Sequence, residues 1–186
     1  MWRKFGLPVL LFSLTHVAGH AEVADSGANG FTVKITTGIH AAPADVYKKL
    51  LRNVGDWWNS QHTFSGDAHN LSIEEKAMGC FCEKIPNGGG VRHMEVIYFD
   101  SGKILRMSGA LGPFQGMGAA GTLTFTFSAA PDGTKLETAY SLTGYLPQGT
   151  NWAAATDGML TEQITRLKNY IETGSPAAPT GAKKPV

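Results

Sequence analysis

The chain reads as an α+β domain: an antiparallel sheet covered by one long helix at the C-terminal end. Three observations predict this. A short amphipathic helix comes early, six strand-like runs follow between residues 71 and 145 with turn-rich breaks, and a sustained 3.6-residue apolar period closes the folded part. Short connections between successive strands require antiparallel pairing, and helices segregated from such a sheet make an α+β layer architecture. With an opening strand included, the sheet has about seven strands, and its curved face can wrap the long helix.

Each element has its own signature. Phe31, Val33, Ile35 and Ile39 alternate with Thr32, Lys34 and Thr36, the period of a strand with one buried face. Pro43 suits a helix's first turn, and Val46, Tyr47, Leu50 and Leu51 follow at spacings of three and four. That helix ends near Gly55, and the doublet Trp57-Trp58 comes next. Each indole buries roughly 150–250 Å² and keeps one N–H that needs a partner. Side by side at a helix-to-sheet junction, the two are a core plug or the wall of a pocket; neighbouring side chains diverge, so one is expected in the core and the other at a cavity entrance. Strands are predicted over 71–76, 80–85, 91–99, 103–110, 122–128 and 135–145. The breaks at 86–90, 100–102 and 131–133 are Pro, Asn, Asp and Gly, the residues of tight turns. From Asn151, a suitable N-cap, Leu160, Ile164, Leu167 and Ile171 repeat at four, three and four up to Gly174, a natural C-cap.

The ends differ in character. Residues 1–21 carry Arg3 and Lys4, an apolar stretch from 5 to 17, and then Gly19-His20-Ala21, the order of a secretory signal. The stretch is shorter than the roughly 20 residues that span a bilayer, so a cleaved signal and a periplasmic or secreted product are expected. Removing Arg3 and Lys4 from 16 basic residues leaves 14 against 15 acidic, a formal charge of −1. Near-neutral charge argues against nucleic acid or anionic membrane as partner, because both select for clustered Lys and Arg. Residues 22–30 and 174–186 lack an apolar period and read as a disordered linker and a disordered tail, which leaves 31–173 as one domain.

The helix start Ala42-Pro43-Ala44-Asp45-Val46-Tyr47, the Trp57-Trp58 doublet, the run Gly79-Cys80-Phe81-Cys82-Glu83 and the final amphipathic helix resemble the START-like (SRPBCC) superfamily. Within it, the branch grouped with the activator of Hsp90 ATPase and polyketide cyclases is the most similar; its strand often reads Gly-Gly-x-Phe-x-Glu, and Cys80 stands here in place of the second glycine. The resemblance covers roughly 31–173. It implies a helix-grip fold with a cavity between the curved sheet and the long helix, used in that superfamily for lipids, polyketides and other apolar ligands. It implies no fixed catalytic residues and no cofactor. No Gly-x-x-x-x-Gly-Lys-Ser/Thr loop is present, so ATP hydrolysis has no support.

Candidate chemistry is sparse. Cys80 and Cys82 share one strand face, too far apart for an easy disulfide without distortion, and two small buried residues is the simpler reading. If Asn87-Gly88 formed a two-residue turn, Cys82 would oppose His93 and Cys80 would oppose Glu95, assembling a zinc-type set. A shift of one residue destroys that alignment. His93 and Glu95 are two apart and are expected on one face, either as a general base with its orienting acid or on the solvent side. The opposite set of Met94, Val96 and Tyr98 is equally a candidate for the core. His62 and His69 read as surface-loop residues.

Leu123, Phe125 and Phe127, and Leu136, Tyr140 and Leu142, alternate with polar or small residues and should face the long helix. The segment 109–118, glycine-rich and carrying Leu111, Phe114 and Met117, is a pocket lid or an ordinary connection. The candidate ligand contacts are therefore Trp57, Trp58, Phe81, Glu83, His93, Phe114, Met117, Phe125, Tyr140 and Leu160. The expected function is binding of a small hydrophobic molecule; the alternatives are a cyclase- or dehydratase-like enzyme using His93 and Glu95, and a protein-interaction module presenting the Trp pair or the 109–118 loop.

Overall fold

A computed structural model describes residues 20–178. Its strands are β1 (His20–Gly27), β2 (Gly30–Ile39), β3 (Leu71–Ile73), β4 (Cys80–Ile85), β5 (Gly89–Asp100), β6 (Ile104–Gly109), β7 (Ala120–Ala130) and β8 (Gly133–Thr143). The helices are α1 (Pro43–Arg52), α2 (Val54–Trp57) and α3 (Trp152–Thr173). All eight strands form one antiparallel sheet in the order β1-β2-β8-β7-β6-β5-β4-β3. The long pairing of β2 with β8 brings the start of the sheet beside its end, and the curved sheet carries α3 on its inner face, the helix-grip arrangement. No helix among the described residues is long and apolar enough to cross a membrane.

The alternating sets predicted from sequence form the core. Phe31, Val33, Ile35 and Ile39 of β2, Leu123, Phe125 and Phe127 of β7, and Leu136, Tyr140 and Leu142 of β8 are all buried. They meet Val46 and Leu50 of α1 and Leu160, Ile164 and Leu167 of α3. Asn151 Oδ1 accepts the Ala154 N–H at 3.1 Å and caps α3; Gly174, at φ +79°, ends it.

One expectation is corrected at the N-terminal end. Residues 22–30, read from the sequence as a disordered linker, form most of β1 and its turn, with Ala21 paired to Ile35 and Val23 to Val33. The described side chains of β1 are exposed, so its pairing rests on backbone hydrogen bonds to β2 and leaves no apolar alternation to read. The sheet therefore has eight strands where about seven were expected. Residues 1–19 of the predicted export signal and 179–186 of the predicted tail lie outside the described residues.

Candidate functional site

The site is built on the β4–β5 hairpin. Alternation along β4 puts Phe81 and Glu83 on the inner face, both 2% exposed, and Cys80 and Cys82 on the outer face. The hairpin turn holds three residues, Pro86-Asn87-Gly88, with Asn87 at φ +69° and Gly88 at φ +97°. It therefore pairs Cys82 with Arg92, one residue away from the register of a two-residue turn. A β-bulge then restores the offset: Phe81 pairs with Met94 and Cys80 with Glu95, so His93 is the extra residue. A bulge sends two consecutive side chains toward the same side. His93 and Met94 are accordingly both buried, at 5% and 1% exposure. Gly109 closes this corner, because a Cβ there would lie 2.5 Å from the His93 carbonyl oxygen.

The bulge corrects the expected His93–Glu95 pair. Glu95 lies on the outer face and bonds Arg92 Nη1 at 2.8 Å, while His93 points inward and bonds Glu83 Oε2 through Nε2 at 3.0 Å. A second bulge at Ile97 turns Tyr98 outward, half exposed, so only Met94 and Val96 of that expected core set are buried. The zinc-type set of Cys80, Cys82, His93 and Glu95 is undone by the same offset. Cys80 and Cys82 are joined in a disulfide on the outer face. Two residues of extended strand rise roughly 6.6 Å; here the Cα atoms are 5.3 Å apart, opposite the bulge, where the strand twists more tightly. Among the described residues, no three His, Cys, Asp or Glu side chains gather as a metal site.

Glu83 is a buried carboxylate with its hydrogen bonds satisfied. Its oxygens accept the Phe64 N–H at 3.1 Å, the Ser65 N–H, and the His93 ring nitrogen. Burial works against its charge, but the bonds from Ser65, Phe64 and His93 outweigh it and hold the carboxyl below its ordinary value. Burial pushes the His93 imidazole below its ordinary value despite the neighbouring carboxylate. The pair therefore stands as carboxylate and neutral imidazole. Phe64 stacks on His93 with ring centroids 5.9 Å apart, and Phe81 packs against it at 5.1 Å.

The Trp doublet splits as neighbouring side chains must. Trp57 is 1% exposed, gives its N–H to the Leu50 carbonyl at 3.2 Å and fills the core. Trp58 gives its N–H to the His62 carbonyl at 3.1 Å, meets Phe81 edge-on at 5.7 Å, and lines a cavity. Helix α3 holds the segment in place: Arg166 donates to the Trp57 carbonyl at 2.9 Å, Gln163 accepts the Asn59 N–H at 2.8 Å, and Glu162 bonds Asn59 Nδ2 and His62.

The cavity has a volume of about 450 Å³. Trp58, Phe64, Leu71, Phe81 and His93 form one wall; Leu111, Pro113 and Phe114 form the second; Trp152, Thr156 and Met159 of α3 form the third. Tyr140 is not in the lining but carries the second wall, its hydroxyl accepting the Leu111 N–H at 3.3 Å; burial pushes that hydroxyl up to about 12. Of the sequence candidates, Trp58, Phe81, His93 and Phe114 line the cavity, and Glu83 sits behind His93. Trp57, Phe125 and Leu160 are core residues outside the lining, and Met117 is half-buried beside the core. Sequence reasoning missed the wall segment 61–64 and Trp152. An isolated aromatic in a polar stretch, Phe64, was the one available signal for the first, and Trp152 directly after the N-cap Asn151 for the second.

A curved antiparallel sheet, a long C-terminal helix against its inner face and an apolar cavity between them define the class: this is a helix-grip fold. No family model matches the chain, and no curated protein matches its sequence. Solved structures do match. EF2215 from Enterococcus faecalis, a conserved protein of unknown function, has a TM-score of 0.60 at 18% identity, covering 88% of this chain and 82% of that one. CalU16 from Micromonospora echinospora gives 0.56 at 12% identity over 84% and 88%, and the Aha1 dimer from Colwellia psychrerythraea gives 0.54 at 17% identity over 77% and 97%. At such identities the likeness shows the fold.

Proposed function

We propose that the chain binds a small hydrophobic molecule in the cavity between β4, β5 and the N-terminal half of α3. The observation that carries this reading is an apolar, aromatic-lined space of about 450 Å³ with one buried polar couple, Glu83–His93, at its wall. Ligand sites of this kind span roughly 300–1,000 Å³, with mostly apolar walls and a few placed polar groups. Trp58 and Trp152 line it, so filling it with an apolar aromatic probe should change the intrinsic fluorescence in a saturable, one-to-one manner. A linear, unsaturable change across a naphthalene-class series would sink the reading.

A cyclase- or dehydratase-like reaction is the second reading, favoured by the buried couple itself. His93, neutral and fixed by Glu83, has the arrangement of a general base with its orienting carboxylate. Replacing His93 would then abolish turnover while leaving apolar probes bound. The Trp doublet lends no support to an interaction module, since both of its indoles are buried.

Export through the signal-like residues 1–21 belongs to the same proposal, and the Cys80–Cys82 disulfide accords with an oxidising compartment. Mass measurement of the chain recovered from its native host would find the N-terminal residues removed; an intact N-terminus in the cytosol would contradict export.

A further inference from the structure

We infer that the cavity's ligand is an uncharged apolar ring molecule bearing a hydroxyl group, and that His93 accepts that hydroxyl's hydrogen bond at Nδ1. This rests on the reading of the cavity as a ligand site and adds the chemistry of what enters it.

Glu83 fixes the tautomer of His93. An ionised carboxylate only accepts hydrogen bonds, and Glu83 already takes the N–H groups of Phe64 and Ser65. The third contact, His93 Nε2 at 3.0 Å from Oε2, is therefore an N–H donor. Burial keeps the ring neutral. A neutral imidazole with its proton on Nε2 has a bare Nδ1, which accepts and cannot donate. Nothing among the described residues bonds to Nδ1, and the ring is 5% exposed, in the cavity wall. Nδ1 does not belong to the described buried side-chain atoms that lack a partner, so it keeps accessible surface, and on a ring that lines the cavity it is an acceptor open to a donor from the ligand.

The indole and charged groups of the lining narrow the choice; its other polar side chains besides the two imidazoles, Gln61, Thr63 and Thr156, are neutral. Trp58 and Trp152 give their indole N–H groups to the carbonyls of His62 and Pro147, so neither is free for the ligand. No Lys or Arg lines the cavity among the described residues, and the Glu83 charge lies directly behind His93. A carboxylate ligand at His93 would meet no Lys or Arg and would face the Glu83 charge, and the other imidazole of the lining, His62, already bonds Glu162. A hydroxyl meets His93 Nδ1 without introducing charge, with Phe81 and Phe64 beside the imidazole to pack the ring that carries it.

Three probes of one ring size test this: 2-naphthol, 2-methoxynaphthalene and 2-naphthoate, titrated calorimetrically into the folded chain at neutral pH. The expected order is naphthol tightest, about tenfold ahead of the methoxy compound, which matches one hydrogen bond of roughly 1.4 kcal/mol, and naphthoate weakest. His93→Phe should bring naphthol and methoxynaphthalene to equal affinity. Long-range ¹H–¹⁵N spectra of the wild-type chain provide a readout that needs no variant: His93 should show Nε2 protonated and Nδ1 bare, with the Nδ1 resonance moving when naphthol is added. Methoxynaphthalene binding as tightly as naphthol, naphthoate binding tightest, or the Nδ1–H tautomer would overturn the inference and leave the cavity as a ligand site. Failure of all three probes to bind would remove the cavity reading and the inference together.

Discussion

Glu83→Gln is the substitution that most sharply separates a buried, satisfied carboxylate from an incidental one. The side chains have the same shape, so packing is preserved and the change falls on hydrogen bonding. Three donors converge on the carboxylate: the Phe64 N–H and His93 on Oε2, and the Ser65 N–H on Oε1. A carboxamide has one oxygen. If it keeps Phe64 and His93, its NH₂ faces the Ser65 N–H; if it turns, the NH₂ faces the Phe64 N–H and the donor nitrogen of His93. One buried backbone donor is stranded either way, which costs about 1–3 kcal/mol, and the surviving bonds lose their charge assistance. The expected loss is about 2–4 kcal/mol. In a domain of this size 1 kcal/mol moves Tm by roughly 2–4 °C, so thermal unfolding followed by circular dichroism should show a fall of about 4–16 °C. Glu95→Gln is the control. Its ion pair with Arg92 lies on the outer face, and exposed pairs contribute about 0.5 kcal/mol or less. Equal effects from the two substitutions would refute the inward assignment of Glu83 and the bulge that places His93 beside it.

The same couple sets a pH dependence. His93 is held below its ordinary 6.5 in the folded state, so the unfolded chain takes up the proton first; its contribution is full above pH 6.5 and is lost as pH falls through the lower folded value. Glu83, also depressed, adds a second loss below pH 4.5, and urea midpoints between pH 8 and 4 should fall in that order, with the first step missing in His93→Phe. Tyr140→Phe strands the buried Leu111 N–H and should lower stability by about 1–2 kcal/mol in denaturant unfolding while weakening apolar probe binding, because it loosens the Leu111–Phe114 wall. Thiol titration of the native chain should find no free cysteine, and Cys80→Ser with Cys82→Ser should lose only about 1.5 kcal/mol, since the disulfide closes a very short loop.

What the sequence made legible followed from period. β2, β7, β8 and α3 each bury one face against the core, and a buried face writes its spacing into the residues. β1 has no such face, so its pairing with β2 is invisible in composition. The buried couple was hidden for another reason. Which residues of β5 point inward depends on a one-residue choice of turn length and on one bulge, and both are decided by backbone geometry around Asn87, Gly88 and Gly109. His93 and Glu83 were each candidates, yet their partnership joins positions ten residues apart through that offset. The wall segment 61–64 was equally hidden, because it reads as polar and is held by Glu83 and by Glu162 of α3, with Gln163 holding Asn59 just before it.

Blocking the mouth of the space between sheet and helix decides whether it is a ligand site. Ala155 is exposed on α3 and borders the cavity, so Ala155→Trp places an indole at the opening without altering a core residue. Calorimetric titration of 2-naphthol should give saturable one-to-one binding to the wild-type chain and at least tenfold weaker binding to Ala155→Trp, with unchanged unfolding midpoints. Equal affinity for the two proteins would place the probe elsewhere and contradict the account.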